Sequence, residues 1–256
     1  MRQAIVTAAL AALATGCSGV GGTGSLELTI YGEDFIEQEI PAAGSSEGGE
    51  GFVDGWTVRF SRFLLCLGDI VVADHGGGVG AEDSSLRVFD LHRPGPHEVV
   101  TFDDVGAKRW PELSFAIATA DQDTVAGNVG DEDLELMGDN GWSVYAEGNA
   151  DDGTTEISFA WGFHTTTRFE ECHHDDFGEG VVVPAGGVES AEITIHGDHL
   201  FYDDLASHDP NLRFQHMANA DADQDGNVTL SELDAVQLAD IPAAEGPYGV
   251  GASNVN

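Results

Sequence analysis

Ile157-Ser-Phe159-Ala-Trp161-Gly-Phe163 carries an apolar side chain at every second position. Successive side chains of a β-strand point to opposite faces, so this run offers one face to a core and the other to solvent. It is the clearest period-two pattern in the chain. Residues 26–31 and 56–60 alternate in the same way, the second running into 63–67 and 70–72, and 87–91, 98–102, 113–117, 142–146, 181–183 and 193–195 are further short apolar runs. Gly, Asp, Asn and Pro turns separate them. Short strands with such turns predict a mainly β fold, an antiparallel β-sandwich over residues 26–202, with a barrel as the alternative. No stretch before residue 203 has a sustained helical period. Residues 74–85, glycine-rich and then polar, read as an exposed, mobile loop.

The chain has 256 residues, room for one large domain or two modest ones, and 41% are hydrophobic, enough for a core. Its 46 acids face 9 bases, and Lys108 is the single lysine. A surface so acidic repels nucleic acid and anionic lipid and attracts divalent cations or basic partners. No basic patch with interleaved aromatics occurs, so nucleic acid is not an expected ligand. Neither a Gly-x4-Gly-Lys phosphate loop nor a His-Glu-x-x-His zinc helix is present. No catalytic residue is assigned, and the chain is not expected to be an enzyme.

One stretch is far more specific than the rest. Asp221-Ala-Asp223-Gln-Asp225-Gly226-Asn227-Val228-Thr229-Leu-Ser-Glu232 holds only four of the 46 acids, but it spaces them for a cation. Calcium takes six to eight oxygens from a flexible ring of ligands. Asp221, Asp223 and Asp225 stand at positions 1, 3 and 5 of a twelve-residue loop, with Gly226 at the sharp turn. Asn227 would offer its backbone carbonyl, Thr229 would act directly or through a water, and Glu232 would close the ring with both oxygens. The pattern resembles an EF-hand over about residues 211–240, with a looser dockerin-type loop as the alternative. The resemblance implies an entering helix bearing Leu212, Phe214 and Met217, and an exiting helix bearing Leu233 and Val236 that Pro242 stops early. EF-hands usually pair through the strands at position 8, here Val228. Asp121-Gln-Asp123 and Asp131-Glu-Asp133 start as such loops do but lack the glycine and closing Glu in register. The single hand must therefore pair with another chain, lean on the rest of the fold, or bind weakly. A weak site binds at roughly 0.1–1 mM, which at millimolar calcium adds about 1–2 kcal/mol of stability.

Residues 1–17 join a positive end to a short apolar run and close on Ala14-Thr-Gly-Cys17. This is a secretory-signal pattern, too short to span a bilayer. Its ending resembles a bacterial lipobox, which implies a lipid on Cys17 and a membrane-anchored protein of the bacterial cell envelope, at the outer membrane or cell surface. Residues 18–25 read as a Gly/Ser tether, 203–242 as the calcium-binding segment and 243–256 as a flexible tail. The Val183-Pro-Ala-Gly turn resembles that of lipoproteins with an Ig-like or transthyretin-like sandwich, a likeness of fold alone. No protein partner can be named from the residues.

An oxidising compartment leads Cys66 and Cys172 to be read as one disulfide, with free thiols or a metal ligand as alternatives. Seven of the ten histidines fall between residues 164 and 216. His164, Cys172, His173, His196 and His199 are candidate ligands for zinc or copper, which imidazole and thiolate select. His196 and His199 share a face only if the chain turns at Gly197.

Overall fold

The computed structural model describes residues 21–45, 50–170, 172–174, 178–204 and 206–241. The signal-like segment with Cys17, and the tail 243–256, lie outside them. The fold is mainly β, with several sheets.

In chain order the elements are β1 (Thr23–Gly32), α1 (Asp34–Glu37), β2 (Thr57–Ala73), β3 (Val79–Asp90), β4 (His97–Gly106), β5 (Arg109–Trp110), β6 (Glu112–Ile117) and β7 (Val125–Ala126). Then come α2 (Asp131–Asn140), β8 (Val144–Asp151), β9 (Glu156–Phe163), β10 (Thr167–Phe169), β11 (His173–His174), β12 (Gly178–Glu179), β13 (Val181–Val182) and β14 (Val188–Ile195). A 3-10 turn (Asp198–Phe201), α3 (Gln215–Ala218), β15 (Asn227–Val228), α4 (Leu230–Ala235) and a second 3-10 turn (Leu238–Asp240) follow.

β2 is the spine. One of its edges is shared in succession by β8, from Thr57 to Leu65, and β6, from Leu67 to Ala73; β3 takes the other edge. The successive runs at 56–60, 63–67 and 70–72 are one strand of 17 residues. Register shifts between Phe60 and Arg62 and between Gly68 and Ile70 explain the breaks in its alternation. Each irregularity adds a residue and resets the alternation. Val58, Phe60, Phe63, Leu65, Leu67, Ile70 and Val72 therefore all reach the same core. Leu64 and Cys66 project to the opposite face, into a smaller cluster with Val88, Met137 and Tyr145.

Strands β10, β6, β2, β8, β9 and β15, with β3 joined to β2 and β7 to β3, form the larger sheet, and β14, β1 and β4 form a second one. The main core draws Leu26, Leu28 and Ile30 from β1 together with Ile157, Phe159 and Trp161 from β9. The pairing is not purely antiparallel: β1 runs parallel to β14, and β9 parallel to β15.

Three further expectations are corrected. Residues 79–85 are strand rather than mobile loop; the turn before them is fixed by Asp74, whose carboxylate accepts the N–H groups of Gly76 and Gly78, both at 3.0 Å. The tether ends earlier than residue 25, because β1 begins at Thr23. A ten-residue helix, α2, stands where no helical period was legible. Its sequence Asp131-Glu-Asp-Leu-Glu-Leu-Met-Gly-Asp-Asn140 has few apolar positions, and of these Met137 is fully buried. The signals that could have found it are three acids in the first turn, which the helix dipole favours, and Gly141 in the left-handed conformation at the C-terminus.

Candidate functional site

The predicted calcium loop hangs on the edge of the larger sheet. Phe214 and Met217 before it and Leu233 after it are buried in the main core. The entering helix is a single turn, α3, shorter than the EF-hand likeness implies; Asp54 holds its start by accepting the N–H groups of Phe214 and Gln215 at 2.8 and 2.9 Å. The exiting helix α4 has six residues and stops at Val236, ahead of Pro242. Between them Val228 is fully buried, and β15 pairs with β9 through Asn227–Ser158 and Val228–Phe159. The Trp161 indole N–H donates to the Val228 carbonyl at 2.8 Å. The strand that would otherwise seek a second hand is thus joined to the body of the same chain.

Within the loop, one oxygen from each of Asp221, Asp223 and Asp225 lies within 4.8 Å of the others. Gly226 has φ +79°, the left-handed conformation the turn demands. Backbone N–H groups brace the acids: Asp225 and Gly226 donate to Asp221, both at 3.1 Å, and Asn227 donates to Asp225 at 2.8 Å. Glu232 is not part of that convergence. Its Oε2 accepts the Thr229 N–H at 2.9 Å and hydroxyl at 2.8 Å, and its Oε1 accepts the Ala222 N–H at 3.2 Å. The Thr229 N–H, then its hydroxyl, hold the Glu232 carboxyl below the usual range. Thr229 and Glu232 thereby form a capping box at the start of α4. The sequence places both residues at ligand positions; the fold also uses them to start a helix.

Three of the five candidate transition-metal ligands lie apart. His164 Nδ1 lies 3.0 Å from the Gly141 carbonyl, and the backbone of His173 pairs with Glu179 between β11 and β12. Cys172 lines a mostly apolar cleft of about 200 Å³ with Leu113, Phe115 and Ile193, where burial raises its pKa. It forms no disulfide. Cys66 is also free and sits in the cluster beneath α2, whereas Cys172 packs against the main core, so the sheet keeps them apart. Burial first, then Asp121, pushes the Cys66 thiol up to about 12, which leaves it protonated.

His196 and His199 do come together. β14 ends at Ile195, and Gly197 lets the chain turn against Ile36 and Phe60; a Cβ there would lie 2.6 Å from an Ile36 methylene. Phe201 anchors the turn in the core. The two imidazoles stack with centroids 5.1 Å apart and planes 11° apart. Asp198 lies with them, and one donor atom from each of the three residues falls within 4.8 Å of the others. Asp198 lies between the two histidines in the sequence but was not among the candidate ligands, and Glu33, which contacts His196 at 3.0 Å, is remote from them. Asp198 is one acid among 46, and Glu33 comes from the far end of the chain.

No protein-family model, curated protein or solved structure matches this chain.

Proposed function

We propose that the chain is a calcium-binding protein of structural or binding type, a β-sandwich whose C-terminal segment calcium stabilises, held on a bacterial cell envelope by a lipid on Cys17. The observation that carries the calcium reading is the convergence of Asp221, Asp223 and Asp225 within 4.8 Å, on a loop already turned at Gly226. Three carboxylates so close repel one another, and a hard divalent cation relieves that repulsion. The sandwich reading is supported by a single core drawn from both sheets. The anchor rests on the sequence pattern of residues 1–17 alone.

Calorimetric titration of the metal-stripped chain tests this. One calcium per chain at roughly 0.1–1 mM is expected, with a rise in melting temperature of about 2–8 °C at millimolar calcium. Asp221→Ala abolishes the binding heat. Glu232→Gln is the more informative variant, because glutamine keeps the capping box while removing a charged ligand. Calcium binding of parental strength in both variants rejects the proposal.

A further inference from the structure

We infer that His196, Asp198 and His199 form a second metal site, distinct from the calcium loop, that takes a borderline divalent ion of the zinc class. Two imidazoles and one carboxylate suit zinc and its first-row neighbours, whereas calcium prefers oxygen alone. Three protein ligands with solvent beside them leave a coordination position open.

The strongest observation is on Asp198. It is only 9% exposed, and its Oδ1 is buried with no hydrogen-bond partner. A buried carboxylate oxygen without a donor is costly, and native folds supply one. Here the other oxygen is already committed: Oδ2 accepts the Tyr202 hydroxyl at 2.9 Å. One carboxylate oxygen of Asp198 lies within 4.8 Å of a ring nitrogen of each histidine, so a cation bound there would give this buried carboxylate the partner it lacks.

The surroundings agree with that reading. Glu33 Oε2 lies 3.0 Å from His196 Nδ1. A carboxylate that accepts one ring N–H fixes the tautomer and leaves Nε2 with its lone pair, as the outer partners of metal-bound histidines do. The Tyr202 ring packs 4.7 Å from that of His199 and donates to Asp198, so it orients two of the three ligands. Asp198 and Tyr202 also line a neighbouring cleft of about 440 Å³ with Phe35 and His208. Both imidazoles are exposed, so an ion can enter without unfolding the sheet.

The test is a zinc titration of the metal-stripped full chain by calorimetry, with millimolar calcium present to occupy the acidic loop. One zinc per chain is expected, binding far more tightly than calcium does. His196→Ala combined with His199→Ala removes it and leaves the melting temperature without metal unchanged, because both rings are exposed. Glu33→Gln, a positioning change, weakens zinc by about 10–100-fold. Cobalt in place of zinc gives visible absorption bands in the parent that disappear in the double variant, a readout that a purely structural role for the histidines would not move. His164→Ala is the control and binds as the parent does. No zinc bound by the parent, or equal zinc bound by the double variant, overturns the inference. Neither outcome depends on whether the loop at Asp221 binds calcium.

Discussion

Trp161→Ala is expected to destabilise the fold by about 3–5 kcal/mol and, with no ligand touched, to weaken calcium binding at the loop. Trp161 is 2% exposed and stacks on Phe159 with centroids 4.4 Å apart. Its removal leaves a large cavity where β9 meets the core. It also removes the indole N–H that donates to the Val228 carbonyl. That carbonyl belongs to the loop strand itself, so the loop loses one of its ties to the sheet, the backbone pairing of β15 with β9 remaining. Trp161→Phe separates the two effects: it keeps most of the packing and removes the N–H, a hydrogen bond worth about 0.5–1.5 kcal/mol. Denaturant unfolding gives the stability and calorimetry gives the calcium affinity. Parental calcium affinity in both variants would mean that the loop is organised independently of the sheet.

Asp203→Asn is expected to cost about 3–5 kcal/mol at neutral pH. Asp203 is 2% exposed, and it accepts the Asn211 backbone N–H at 2.9 Å, the Asn211 amide at 3.1 Å and Arg213 Nε at 2.8 Å. It therefore ties the end of the β body to the segment that leads into α3. Burial works to raise its pKa, but the Arg213 guanidinium and the Asn211 donors together outweigh burial and hold it below the usual carboxylate range. A carboxyl depressed by folding stabilises the native state fully above its unfolded pKa, about 3.9 for aspartate, and loses that contribution as pH falls through the folded value. The stability gap between parent and Asp203→Asn should therefore be flat from pH 7 to about pH 5 and narrow in stronger acid. A gap that stays constant down to pH 3 would show that the charge of Asp203 contributes nothing.

These predictions depend on contacts of very different legibility. The β9 alternation and the spacing from Asp221 to Glu232 are local, and both could be read from the chain. The run from 56 to 72 could be followed too, but not which face of β2 each residue takes, because two irregularities reset the alternation. Helix α2 was hidden because it packs on a small secondary cluster and needs few apolar residues to do so. The meeting of His196 with His199 depends on a turn at Gly197 that the sequence permits without requiring. The roles of Asp198 and Glu33 depend on burial and on long-range contact, which no spacing rule encodes. The same holds for Cys66 and Cys172: compartment chemistry suggests a bond, but the sheet between them decides against it.

The two-residue strand β15 has a consequence for solubility. β9 pairs with β8 along one side, and on its other side β15 covers the backbone at Ser158 and Phe159. Without that cover β9 would be an open edge, rich in aromatic residues and able to template pairing with a second molecule. The segment that carries the acidic loop thus acts as an edge guard, and under the proposed calcium binding a cation would help to keep the guard in position. Calcium removal should accordingly raise light scattering on mild heating, and Asp221→Ala should scatter even with calcium present. Equal scattering with and without calcium would mean that the guard holds without its ion. On this view the cation's main service is to keep one molecule from joining the next.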